Sequence, residues 1–258
     1  MKKLKLLSSL SYVAVLTTAV PFVATACNEE QDKTIVTLDQ EGNGCKFTTI
    51  NNKQYLAFSS DDNSASINFT TSAHINDAKF DLKIQNEVYQ DYVYANTDNE
   101  NTYTIAFSKR MISQIIDSRQ EGVHITIFEQ NNEVEPISFD ALAVIWITDV
   151  TTEGSATIDK TKDPYEVTYN NSGAHEGYVM LSLTSEPSDN TKFVLSYADG
   201  SEVEIAKGKA EWKKTRQKLI VYLNPAFAKG EEHTLTVSSK EGNLYVQSFT
   251  FKLKVIVA

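Results

Sequence analysis

Hydrophobic and polar residues alternate in short runs along most of this chain. Ile67 and Phe69 alternate with Asn68 and Thr70, and Phe80, Leu82 and Ile84 alternate with polar neighbours. Tyr103, Ile105 and Phe107 repeat the pattern, as do Ile125 and Ile127. A period of two puts alternate side chains on one face, so these runs predict half-buried β-strands. Residues 34–38, 45–50, 54–58 and 88–94 read as further strands, and Asn43-Gly44 is a hairpin turn signal. The polar runs 61–64 and 96–101 read as loops. Met111, Ile112, Ile115 and Ile116 have helical spacing and Gly122 lies beyond them, which predicts a short helix over 111–117 crossing between sheets. Residues 137–147 form a long apolar final strand of this first unit.

Residues 148–155 are polar with one glycine and read as a connection between units. The rhythm then resumes, with strands at 165–169, 179–184, 193–197, 202–205, 219–223, 234–237 and 244–257, and turns at Asp199-Gly200 and Glu241-Gly242. The two halves align in order. Ile67 and Phe69 match Leu181 and Leu183; Phe80 and Leu82 match Phe193 and Leu195. Tyr103, Ile105 and Phe107 match Leu219, Val221 and Leu223; Ile125 and Ile127 match Leu235 and Val237; Phe139, Ala143 and Ile145 match Phe249, Leu253 and Val255. The predicted helix corresponds to the shorter run Pro225 to Lys229. Any two β-sandwiches alternate in a similar way, but ordered matches over this length point to a tandem duplication. The expected fold is all-β, with two tandem antiparallel β-sandwich domains over 34–148 and 149–258. Each half resembles the bacterial Ig-like domains of exported proteins by this pattern. Without a Cys–Trp–Cys framework the resemblance is to Ig-like architecture, not to antibody-type domains. It implies a spacer or adhesion role.

The first 26 residues follow a different logic. Lys2, Lys3 and Lys5 precede an apolar run diluted by Ser and Thr, and Pro21 lies near its end. These are the parts of a secretory signal peptide. Ala24-Thr25-Ala26-Cys27 resembles the lipobox of bacterial lipoproteins, departing from it at Ala24, where the family prefers Leu. The resemblance implies that Cys27 is acylated and becomes the N-terminus, anchoring the chain to the extracytoplasmic side of the cell membrane. Cleavage by an ordinary signal peptidase, leaving Cys27 a free thiol, is the alternative. Residues 27–33 read as a polar tether.

Composition narrows the function classes. The chain has 258 residues, 41% of them hydrophobic, and a formal net charge of −10. Three of its lysines lie in the signal stretch, which has no acid, so the remainder is more acidic still. An acidic surface argues against nucleic acid as a partner. Only Cys27 and Cys45 are present, so no structural disulfide is expected, and Cys45 reads as a small buried hydrophobe on its strand. The four histidines show no metal spacing, and no nucleophile elbow, P-loop or dinucleotide fingerprint occurs. No catalytic residue, cofactor or resident metal is expected. The carboxylate-rich loops at Asp61-Asp62 and Asp98–Glu100 offer oxygens to Ca²⁺ but fit no EF-hand pattern. Two aromatic groups remain as candidate ligand sites. Tyr92 and Tyr94 lie two apart and so on one strand face. Trp212 sits among Lys213, Lys214 and Arg216, in the one basic cluster of an acidic protein. Such a cluster suits an acidic glycan or an acidic partner protein; a charged edge strand that resists edge pairing is the plainer reading. The expected partners are a membrane, through the N-terminal lipid, and a surface protein or polysaccharide. A carbohydrate-binding lipoprotein that passes glycan to a transporter or hydrolase is the alternative.

Overall fold

The structure, a computed structural model, describes Thr34 and residues 36–96, 99–131, 134–172 and 175–256. The predicted signal peptide and Cys27 lie outside the described residues.

In the first half, alternation places one face of each strand in a core. The strands are β1 (Val36–Leu38), β2 (Cys45–Ile50), β3 (Lys53–Ser59), β4 (Ala65–Thr71), β5 (Phe80–Ile84), β6 (Glu87–Tyr89), β7 (Val93–Asn96), β8 (Asn99–Phe107), β9 (Val123–Glu129) and β10 (Ile137–Ile145). Helix α1 (Lys109–Asp117) and a 3-10 turn (Arg119–Glu121) join β8 to β9. One sheet has the order β1-β4-β8-β7; the facing sheet has β2-β3-β10-β9-β5-β6. Strand β4 buries Ala65, Ile67, Phe69 and Thr71 and half-exposes the residues between. Between the sheets Phe69, Phe80 and Tyr103 pack with ring centroids 4.7 to 5.2 Å apart, a geometry that adds specificity to plain burial. Met111, Ile112 and Ile115 seal this core from α1 and are fully buried.

The second half contains β11 (Ile147–Gly154), β12 (Ala156–Asp159), β13 (Tyr165–Asn170), β14 (Gly177–Leu183), β15 (Phe193–Tyr197), β16 (Gly208–Lys213), β17 (Lys218–Leu223), β18 (Glu232–Ser239), β19 (Tyr245–Val246) and β20 (Phe249–Ile256). Its sheets are β11-β14-β17-β16 and β12-β13-β20-β18-β15. They enclose a separate core built on Tyr169, Phe227, Phe251 and the aliphatic residues of β14 and β17.

Both halves therefore have one strand order. A four-stranded sheet runs A-B-E-D, and the facing sheet carries G-F-C with an early strand added in parallel to G. That is the immunoglobulin arrangement, and the chain is an all-β pair of tandem Ig-like sandwiches. Every matched pair of segments occupies the same strand in each half: B (β4, β14), C (β5, β15), E (β8, β17), F (β9, β18) and G (β10, β20).

Several local expectations differ from what is seen. Residues 148–155 form no polar connection; they belong to β11, which pairs with β14 from Ile147 to Gly154. Their β-branched content suits an outer strand as well as a linker. Residues 88–94 do not form one strand. Asp91 adopts φ 65°, which breaks the run into β6 and β7. Residues 202–205 form no strand: Glu202 makes one bridge to Ser196, and Ile205 lies in a turn and is 77% exposed. The run 244–257 is divided by Gln247 and Ser248 into β19 and β20.

Candidate functional site

The predicted aromatic positions fall on equivalent edge strands of the two sandwiches. Trp212 lies on β16, the edge strand next to β17. Alternation on β16 turns Ala210 and Trp212 toward the second core, where both pack. The indole Nε1 is buried and has no hydrogen-bond partner. Lys209 and Lys213 are on the other parity of β16, Lys214 and Arg216 lie in the turn that follows it, and all four are paired with carboxylates. Lys213 and Lys209 both pair with Glu211 (2.7 and 3.1 Å), Lys214 with Glu186 (3.1 Å) and Arg216 with Glu153 (3.0 Å). The hydrogen bond from Lys213, and the charge of both lysines, hold the Glu211 carboxyl below its ordinary value despite partial burial. Trp212 and the cations thus do not converge on one face.

Tyr92 and Tyr94 are separated in the same way. Tyr92 precedes β7, packs against the first core and meets Tyr89 edge-on at 6.0 Å. Tyr94 points outward and is 53% exposed. The positive φ of Asp91, with Tyr92 lying before β7 begins at Val93, replaces the straight strand that a shared face requires.

Cys45, His124, His233 and Asp61 make local contacts within the sandwiches. Cys45 is buried, its thiol is 3.5 Å from the Ser66 carbonyl, and burial followed by the nearby Asp62 charge pushes its pKa up to about 12. His124 Nδ1 lies 3.0 Å from Asp140, which also meets Lys53 at 2.6 Å. His233 lies 3.0 Å from Glu231, and its ring packs at a tilt against Tyr197 and Phe227, with centroids 5.2 and 5.7 Å away. Among the described residues no group of three or more His, Cys, Asp or Glu could hold a metal ion. Asp61 accepts a hydrogen bond from Ser59 Oγ.

A concave site lies at the junction of the sandwiches. Its origin is the apolar end of β10. Ala141 and Ala143 face the first core, while Leu142 and Val144 face outward and are also buried. With Ala57 of β3 they make an outer apolar patch, covered in part by Tyr55, Trp146 and Tyr245. Burial on both faces from residue 141 to 145 is why this end of the strand is continuously apolar. Strand β19 of the second half pairs in parallel with β10, Val144 opposite Tyr245 and Ile145 opposite Val246. Further bonds lock the junction. The Gln247 amide donates to the Ile145 carbonyl (2.9 Å), Gln120 Nε2 to the Gly242 carbonyl (3.0 Å) and Asn51 Nδ2 to the Tyr245 hydroxyl (3.0 Å). Ser60 and Ser185 hydroxyls meet at 2.6 Å.

Beside this clasp opens a cleft of about 650 Å³. Strand β2 contributes Lys46 and Thr48, the inter-sandwich link contributes Trp146, and the second sandwich contributes Ser239, Lys240 and Tyr245. The Lys46 ammonium sits 4.6 Å from the Trp146 ring centroid, a cation–π placement that holds the charge at the cleft mouth. Lys240 pairs with Glu202. Among the described residues lining the cleft there is no acid. Trp146 was absent from the predicted site residues. The signal was available: Leu142, Val144 and Trp146 share one parity at the end of an already apolar strand.

No family model matches the chain, and a search of curated proteins returns no match. Solved structures with an overlapping outline include the N-terminal Ig1-2 module of the Drosophila receptor protein tyrosine phosphatase DLAR, at 7% identity and a TM-score of 0.24, covering 76% of this chain and 91% of that one. The titin domains z1z2 in complex with telethonin align at 8% identity and a TM-score of 0.27, over 89% of this chain and 98% of that one. Murine CEACAM1b aligns at 9% identity and a TM-score of 0.25, over 78% and 94%. Likenesses this distant carry no functional argument; the Ig-like assignment rests on the strand order above. No helix among the described residues is long and apolar enough to cross a membrane.

Proposed function

We propose that this chain is a lipid-anchored surface lipoprotein with a binding role, its two sandwiches acting as one body that presents a ligand cleft at their junction. The observation that carries the binding role is the clasp. Strand β19 and the hydrogen bonds around it hold two separate cores in register, and they frame a polar-and-aromatic cleft of the size that small-ligand sites use. The anchor rests on the sequence Ala24-Thr25-Ala26-Cys27 after a basic and apolar leader. Two acyl chains on Cys27 give stable attachment where one is marginal. The anchored protein then displays an acidic, nucleic-acid-averse surface outside the cell, toward a surface protein or polysaccharide.

Metabolic labelling with a palmitate analogue and detergent phase partition test the anchor. The wild type is expected to take up label and enter the detergent phase, and Cys27→Ser to do neither. Equal labelling of both would overturn the anchor. Among binding roles, capture of a carbohydrate is favoured over a purely adhesive one by Trp146 and Tyr245 standing beside hydroxyl and amide side chains in the cleft. Delivery of captured glycan to a transporter or hydrolase is the form that role takes in a tethered protein.

A further inference from the structure

We infer that the junction cleft binds a short saccharide carrying a carboxylate or phosphate group. This rests on the binding role proposed above and assigns its ligand class. A saccharide presents apolar C–H faces and hydroxyl edges. The cleft offers both counterparts. Tyr245 and Trp146 supply aromatic surface, and both pack on the apolar patch of β3 and β10, which fixes their positions. Thr48, Asn51, Ser239 and Gln247 line the same space with donors and acceptors that suit hydroxyl groups.

The anionic group follows from charge. The protein as a whole is strongly acidic, yet no acid lines this cleft among the described residues. Lys46 has no carboxylate partner among the described residues. Its ammonium is held over the Trp146 ring, exposed, at the edge of the space a ligand would fill. The nearest acids, Glu41 and Asp62, line the adjoining hollow that shares Lys46 and Trp146 rather than this cleft, and solvent and salt screen them more than a direct contact with Lys46. A peptide strand is a poorer fit. The edge of β10 at the cleft is already taken by β19 on one side and β3 on the other, so no free ladder remains there for strand addition.

The test uses the full chain in detergent, with Trp212→Phe so that Trp146 is the only tryptophan. Trp212 lies on β16 and does not line the cleft. Tryptophan emission is followed on titration with trigalacturonic acid, trehalose 6-phosphate and neutral maltotriose, with calorimetry of the unsubstituted chain in parallel. A saturable change with at least one anionic sugar is expected, at least about tenfold tighter than maltotriose and weakened at least about tenfold by Lys46→Gln; loss of one charge-assisted contact corresponds to roughly such a factor. Which anionic sugar binds distinguishes the carboxylate from the phosphate source. Lys46 is exposed, so Lys46→Gln should keep the wild-type melting temperature, and Thr48→Val provides a second cleft variant that leaves the charge in place and should also weaken binding. The inference is overturned by no saturable change with either anionic sugar, by equal affinity for maltotriose, or by unchanged affinity in Lys46→Gln. Failure here with Cys27 labelling intact leaves the anchored lipoprotein standing; loss of labelling with sugar binding intact does the reverse.

Discussion

Val246 is the residue through which the clasp can be loosened without touching either core. It is 5% exposed and stands opposite Ile145 in the parallel pairing of β19 with β10. Val246→Ala removes two methyl groups from the junction. At about 0.8 kcal/mol per buried methylene-sized group, the transfer loss is about 1.6 kcal/mol. A residual cavity raises it to about 2 kcal/mol. That figure is a factor of roughly 30 in the population of an undocked state. Hydrogen exchange reads this state directly, because amides opened by local undocking exchange in proportion to its population. The Gln247 amide, which donates to the Ile145 carbonyl at 2.9 Å, should exchange about 30-fold faster in the variant. The Val221 amide lies on β17, paired on both sides by β14 and β16, and should be unchanged. If both accelerate equally, the clasp is not a separable unit and the two sandwiches unfold together. If Gln247 does not accelerate, the junction is not held by this burial, and the reasoning fails.

Three further perturbations follow from the same coordinates. With Cys27 replaced by serine, Cys45 should resist alkylation at pH 8 in the folded chain and react fully in denaturant, since its thiol is buried and its pKa is pushed up to about 12; rapid native labelling would contradict its burial. At Asp140, burial pushes the carboxyl up, but hydrogen bonds and charge from Lys53 and His124 outweigh it and the group stays below its ordinary value. A depressed carboxyl stabilises the fold fully above its unfolded pKa and loses that contribution as pH falls through the folded value. The gap in urea stability between wild type and Asp140→Asn should therefore shrink as pH falls below the ordinary carboxylate range, and a constant gap would refute the assignment. Asn171 is 4% exposed and its Nδ2 donates to the Pro225 and Phe227 carbonyls at 2.8 and 2.6 Å. Asn171→Ala leaves those acceptors short of a donor and should cost about 2–4 kcal/mol in urea unfolding, with a loss under about 1 kcal/mol counting against it.

The strands that carry matched residues in both halves were legible because a half-buried strand writes its burial directly as alternation. Ile67 and Phe69 face in and Asn68 faces out, and the sequence says so. The helix was legible for the same reason, at a different period: Met111, Ile112 and Ile115 are its buried stripe. The site was far less legible. Trp212, Lys213, Lys214 and Arg216 are one cluster in the sequence, yet alternation on β16 separates Trp212 from Lys213, and Lys214 and Arg216 lie in the turn beyond the strand. The Glu residues that pair with Lys214 and Arg216, at 186 and 153, are distant in sequence. The cleft depends on Tyr245 and Val246, a two-residue strand from one half paired with the other half. No local pattern of so short a strand announces its partner, and the partner decides what Trp146 and Lys46 are near.

The strand order shared by the two halves indicates where this molecule departs from a plain pair of sandwiches. Strand β9 pairs with β10 only from Ile137 to Ala141, whereas β10 continues to Ile145. Without another strand, the groups of its last residues on that side would be left unpaired against an apolar surface, which is costly. Strand β19 occupies this vacancy, because Val144 already pairs with Ser59 of β3 on the opposite side. In the second sandwich β18 runs beside β20 from Phe249 to Lys254, and no comparable vacancy arises. The other asymmetry is the connection before β9. The second half closes it with a short turn near Phe227, braced by Asn171. The first half inserts α1 and a 3-10 turn, and that turn delivers Gln120 to the Gly242 carbonyl of the second sandwich. Gly122 follows at φ 71°, where a Cβ would lie 2.7 Å from the Ala141 carbonyl oxygen, so the insertion can pass this close to β10 only through a glycine. Both departures from the repeat, the overhanging strand and the helical insertion, act at one place. They close the junction and leave the cleft beside it, which is the pattern expected if the repeat supplies the scaffold and its exceptions supply the function.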